Sequence, residues 1–179
     1  MLFLALLVAA LVVAGCGKTE NELKGTEGSQ VSINGLDYQV QISRQLNPHD
    51  QEDMSYTHGH PDPPPGEGFF GVFISVVNNN SGSMKDANRK MPIGIEKMKI
   101  VDTMGNEFRP IKADSPGFAY VPSLLGPGGK IPLPSSAAQS GPIQGALILF
   151  QLPVSAQDNR PLKLVIDGGG EKGEIQLDA

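Results

Sequence analysis

Two apolar runs constrain the fold of this chain more than any other feature. Phe69-Phe70-Gly71-Val72-Phe73-Ile74-Ser75-Val76-Val77 and Ala146-Leu147-Ile148-Leu149-Phe150-Gln151-Leu152 are apolar at odd and even positions alike. The first stops at Asn78-Asn79-Asn80-Ser81-Gly82 and the second at Pro153. Both are of strand length, and the first is rich in β-branched and aromatic residues, so each predicts a central strand covered on two faces. Gly71 is the weak point of the first run and predicts a close backbone approach there. Elsewhere the pattern alternates. Val31 and Ile33, then Leu36, Tyr38, Val40 and Ile42, flank Asn34-Gly35 and predict a half-buried hairpin. Further strands are expected over residues 93–101, from Glu107 after the turn at residues 102–106, and over residues 162–166. Ile175 and Leu177 mark a last, short edge strand. The 22 Gly and 15 Pro residues, with no helix-period pattern beyond the first residues, suit many turns and short strands. The chain reads as all-β, an antiparallel sandwich.

The N-terminus points to a location. Residues 2–13 are apolar and uncharged, too short to span a bilayer comfortably, and small residues follow before a cysteine. Val13-Ala14-Gly15-Cys16 resembles a bacterial lipobox. That resemblance implies removal of residues 1–15 as a lipoprotein signal peptide and acylation of Cys16. Two or three acyl chains, at ~0.8 kcal/mol per buried methylene, make such an anchor effectively permanent. The lipobox departs from the usual pattern in one respect: no charged residue precedes Lys18. Residues 16–30 are polar and aperiodic and are expected as a lipidated flexible tether, with the sandwich domain over residues 31–179. The expected place of work is the cell membrane or outer membrane, outside the cytoplasm, with membrane lipid as a partner through Cys16.

Charge and cysteine content exclude several classes. The formal net charge of −5 and the lack of a basic stripe make nucleic acid an unsuitable partner. Cys16 is the sole cysteine, so acylation leaves no thiol for a disulfide or a nucleophile. Gly168-Gly169-Gly170 lacks the Lys-Ser/Thr of a phosphate loop and reads as a turn. Ser115 stands between Asp114 and Pro116 with Ala113 where a nucleophile elbow needs glycine. No enzyme activity and no cofactor are expected.

Four segments in order carry a wider resemblance: Gly35-Leu36-Asp37-Tyr38-Gln39-Val40, Phe73-Ile74-Ser75-Val76-Val77-Asn78-Asn79, Val101-Asp102-Thr103-Met104-Gly105-Asn106-Glu107-Phe108-Arg109-Pro110 and Gly145-Ala146-Leu147-Ile148-Leu149-Phe150-Gln151-Leu152-Pro153. The series resembles the telokin-like, immunoglobulin-fold extracellular domains of bacterial lipoproteins, relatives of a mycobacterial immunoprotective antigen. The resemblance implies an immunoglobulin-like antiparallel β-sandwich and an envelope location. It carries no catalytic residues. The two long loops of this chain exceed what such domains usually keep.

Those loops hold the candidate sites. Residues 47–68 contain His49, His58 and His60 with Asp50, Glu52, Asp53, Met54 and Asp62. On an extended chain His58, His60 and Asp62 project to one side, a donor set suited to Zn or Cu(II). The competing reading is a solvated, proline-stiffened connector, and it is preferred. Residues 110–142 carry Phe118, Tyr120, Val121, Leu124, Leu125, Ile131 and Leu133 among Pro and Gly. They suit either an apolar recognition surface or a plug folded onto an open end of the sandwich, and the plug is preferred. The function expected is a membrane-anchored lipoprotein whose non-catalytic sandwich binds an envelope protein or polymer. The alternative is envelope metal binding through the histidine-rich loop.

Overall fold

The computed structural model describes residues 21–80, 88–115 and 117–178. Asn34 and Gly35 both adopt positive φ, 53° and 73°. That is the geometry of a tight hairpin turn whose twist matches its strands. It joins β2 (Gln30–Ile33) to β3 (Leu36–Leu46), as the sequence predicts. β4 (Glu67–Val77) is the first apolar run and pairs with β3 on one side and with β9 (Ala146–Pro153), the second run, on the other. Both runs are therefore central strands.

The remaining elements follow in chain order: β5 (Met98–Val101), β6 (Glu107–Phe108), β7 (Pro110–Ile111), β8 (Lys130–Ile131), the helical turn α1 (Ala137–Ser140), β10 (Lys163–Asp167) and β11 (Glu171–Gln176). The strand expected over residues 93–101 begins only at Met98, after a 3-10 turn at Ile95–Lys97. Two sheets result. One has the order β2-β3-β4-β9-β7, with β8 against β4; the other has β11-β10-β5-β6 with β1 (Asn21–Thr26) beyond β11. The order β3-β4-β9-β7 facing β11-β10-β5-β6 reproduces the ABED and GFC sheets of the immunoglobulin sandwich, with one added strand beside C.

Two expectations are corrected here. The stretch read as a flexible tether holds β1 (Asn21–Thr26), which pairs in parallel with β11 over six residues. Its alternating exposure is short and weak as a sequence signal, but Leu23 packs on the core and the backbone completes the sheet. β11 is in consequence an interior strand and not an edge. The expected signal peptide (residues 1–15), Cys16 and residues 17–20 lie outside the described residues.

The second correction concerns Ile42. In sequence it continues the face of Leu36, Tyr38 and Val40, yet the register slips between Val40, opposite Ile74, and Ile42, opposite Phe73. One extra residue in β3 is a bulge, and it reverses which face the following side chains take. Val40 and Ile74 belong to the inter-sheet core; Ile42 and Phe73 belong to a second cluster on the outer face.

That second cluster explains the two-sided runs. Phe70, Val72, Ile74, Val76, Ile148 and Phe150 fill the space between the sheets. Phe69, Phe73, Leu147 and Leu149 point the other way, with Leu46 and Tyr56. A side chain at Gly71 would fall 2.9 Å from the Leu46 side chain and 3.1 Å from that of Leu147, so what crowds this position is packed side chains and not the backbone approach expected.

Candidate functional site

The outer cluster is covered by the two long loops, pinned to the sheet and to each other. The Arg44 guanidinium on β3 forms a two-pronged ion pair with buried Asp53. The same carboxylate accepts the backbone N–H of Asn47 at 2.8 Å, which turns the first loop back over the sheet. Tyr56 then places its ring edge-on to Phe73 and to Phe118, each at 5.0 Å between centroids. Phe118 belongs to the second loop. Buried Ser115 donates to the Tyr56 carbonyl at 2.7 Å. Ser115 thus joins the two loops, and its hydroxyl is already committed to a backbone carbonyl.

The second loop divides between two tasks. Tyr120, Leu125 and Ile131 enter the inter-sheet core, while Phe118 and Ala113 pack on the outer cluster. This is the plug preferred from sequence, extended to a second face. Val121, Leu124 and Leu133 stay out, at 65%, 44% and 55% exposure. Val121 and Leu133 flank a cleft of about 450 Å³ whose floor includes Ile131, Ala138 and Ala146 and whose polar lining includes Ser115 and Asp114. Lys112 pairs with Asp114 at 2.6 Å and holds that carboxyl below its usual range, with His60 and His58 adding to the effect.

The first loop borders a larger, open cleft of about 780 Å³, lined by Arg44, His49, Glu52, Asp62, Glu67 and Val154 among others. The histidines do not gather there. His49 pairs with Asp62 at 3.2 Å on an exposed surface. His60 turns its ring onto Phe69, 5.7 Å away, with a buried Nε2 that has no hydrogen-bond partner among the described residues. His58 is exposed. The chain does not stay extended between them, so the alternation that aligned His58, His60 and Asp62 is lost. Among the described residues no three His, Cys, Asp or Glu side chains are grouped to hold a metal ion.

Other polar groups are structural. Tyr120 donates to the Ile93 carbonyl at 2.9 Å and Tyr38 accepts the Ile93 N–H at 2.8 Å, clamping the crossover from β4 to β5. Burial pushes the Tyr38 phenol up to about 12 and raises that of Tyr120 as well. Asp102 accepts the N–H groups of Met104 and Asn106 and the amides of Asn106 and Asn159. Its lone pairs are occupied by donors from two separate turns. Sequence reasoning named neither Asp53 nor Ser115 as a tie between the loops; a lone acid or serine in a polar loop carries no periodic signal.

A solved structure agrees on the fold. The yjhA protein from Bacillus subtilis superimposes with a TM-score of 0.50 at 9% identity, covering 86% of this chain and 99% of that one. An uncharacterized beta-sandwich protein from Clostridium difficile 630 gives a TM-score of 0.48 at 12% identity, covering 90% of this chain and 97% of the other. At such identities the likeness to the Bacillus protein is one of fold alone. No protein-family model and no curated protein matches the chain.

Proposed function

We propose that this protein is a lipid-anchored binding module of the bacterial cell envelope, with a non-catalytic sandwich that engages another envelope protein. Lipobox-like Val13-Ala14-Gly15-Cys16 supports the anchor and the location outside the cytoplasm. The observation that carries the binding reading is the cleft between Val121 and Leu133. Val121 and Leu133 are left in solvent at the cleft, and Leu124 is exposed on the same loop, which buries Tyr120, Leu125 and Ile131. Exposed apolar residues that gather at one place mark interaction sites, whereas scattered single ones do not.

The lining favours protein over polymer. Among the described residues every Phe and Tyr is buried or packed against one of the two cores, Phe108 and Phe118 included. The surface therefore offers aliphatic pockets with serine hydroxyls and no aromatic platform for stacking a sugar ring. An extended segment with aliphatic side chains at alternate positions fits that chemistry.

Site-specific photocrosslinking in cells tests the reading. A photoreactive side chain at Val121 is expected to give a discrete crosslinked protein, and the same group at Met104, exposed at the far end of the sandwich, is expected not to. Identical patterns from both positions would contradict a cleft-centred interface.

A further inference from the structure

The start of β1 limits how this domain can sit on a membrane. Asn21 is already paired with Glu171, and only five Cα–Cα steps separate it from Cys16. Even fully extended, five steps reach about 18 Å. Resting on the lipid anchor argued above, we propose that the sandwich stands on end within about 18 Å of the bilayer, with the end that carries Asn21 turned toward the lipid.

Register identifies that end. Asp167 lies opposite Lys172, one step from the Asn21–Glu171 pair. The Asn34 backbone donates to Glu171 at 2.7 Å and its amide to the Gly168 carbonyl at 2.9 Å, so the β2–β3 and β10–β11 turns share it. Asp37 pairs with Val77, which brings the end of β4 there too. The opposite end holds the 102–106 turn, the start of β4 at Glu67, and the first loop with His49 and Asp62. β4 alone, at eleven residues, separates the two ends by roughly 33 Å.

The short connection sets the distance, and two features favour the upright pose. β1 runs into the sheet away from Asn21, parallel to β11. A formal charge of −5 gives no electrostatic pull to lay the domain flat on an anionic leaflet. The Val121–Leu133 cleft lies in the membrane-side half, since its floor residues Ile131 and Ala146 sit opposite Val76 and Ile74. Its partner is therefore one held at the membrane surface. The acidic cleft with His49 faces away.

Depth-dependent quenching tests this. Acylated full-length protein carrying Asp167→Cys or Met104→Cys is labelled with a fluorophore and reconstituted into phosphatidylethanolamine–phosphatidylglycerol vesicles containing a headgroup spin-labelled lipid. The Asp167 position is expected to be quenched several-fold more than the Met104 position. Equal or reversed quenching in protein that floats with the vesicles would overturn the orientation while leaving the anchor intact. Protein with Cys16 present that fails to float would overturn both.

Discussion

The Ser115 hydroxyl and the Glu174 carboxylate show how single groups hold this sandwich. Ser115 is 1% exposed and its bond to the Tyr56 carbonyl ties one loop to the other. Ser115→Ala leaves that carbonyl without its partner in a closed setting, at an expected cost of about 1–3 kcal/mol in urea unfolding. Glu174 on β11 receives Lys172 at 2.9 Å and lies 3.5 Å from Lys163. The Lys172 bond, against the opposing effect of burial, holds the carboxyl down to about 2 from an ordinary 4.5. A carboxyl depressed on folding stabilises above its unfolded value, and that stability is lost as pH falls through the folded one. The urea midpoint should therefore decline between about pH 4.5 and 2, and Glu174→Gln should flatten the decline. Asp102, Glu107 and Asp114 are held low as well and act in the same direction. An equally steep decline in the variant would place the acid sensitivity on those groups instead.

At the scale of elements, β4 is the decisive strand. Its inward and outward faces are equally closed, with Phe70 at 2% and Phe73 at 0% exposure. Phe70→Ala and Phe73→Ala are expected to cost similar amounts, about 3–5 kcal/mol each, because both leave a cavity in packed surroundings. A Phe73→Ala cost below about 1 kcal/mol, far under the usual range for a buried aromatic, would mean that the loops cover the outer face only loosely. The two-sided apolarity of this run was readable in the residues, and so was the Asn34-Gly35 hairpin. Two-residue turns and continuous apolar runs are local signals. The bulge that turns Ile42 outward was not readable, because Gln41 between Val40 and Ile42 fits an unbroken apolar–polar alternation and the extra residue is defined only by the partner strand. β1 escaped for a similar reason: a short, polar segment becomes a strand only when β11 supplies the pairing. In the candidate site the apolar residues of the second loop were legible as a group. Which of them fold inward and which remain at the cleft depends on contacts with β9 and the first loop.

Taken together, the described residues form an immunoglobulin-like sandwich with a third layer of loops on one sheet. That layer leaves an aliphatic cleft at its border, near the end where the chain arrives from Cys16. The histidine alignment read from sequence dissolves in this arrangement, as His49 takes Asp62 and His60 turns to Phe69. The proposed binding at a membrane surface depends on one covalent attachment, at Cys16. Metabolic labelling with an alkyne fatty acid, comparing the natural chain with Cys16→Ser, tests that attachment most directly. Label and membrane association that depend on Cys16 are the predicted result. A Cys16→Ser protein that still takes up label and stays with the membrane would contradict it.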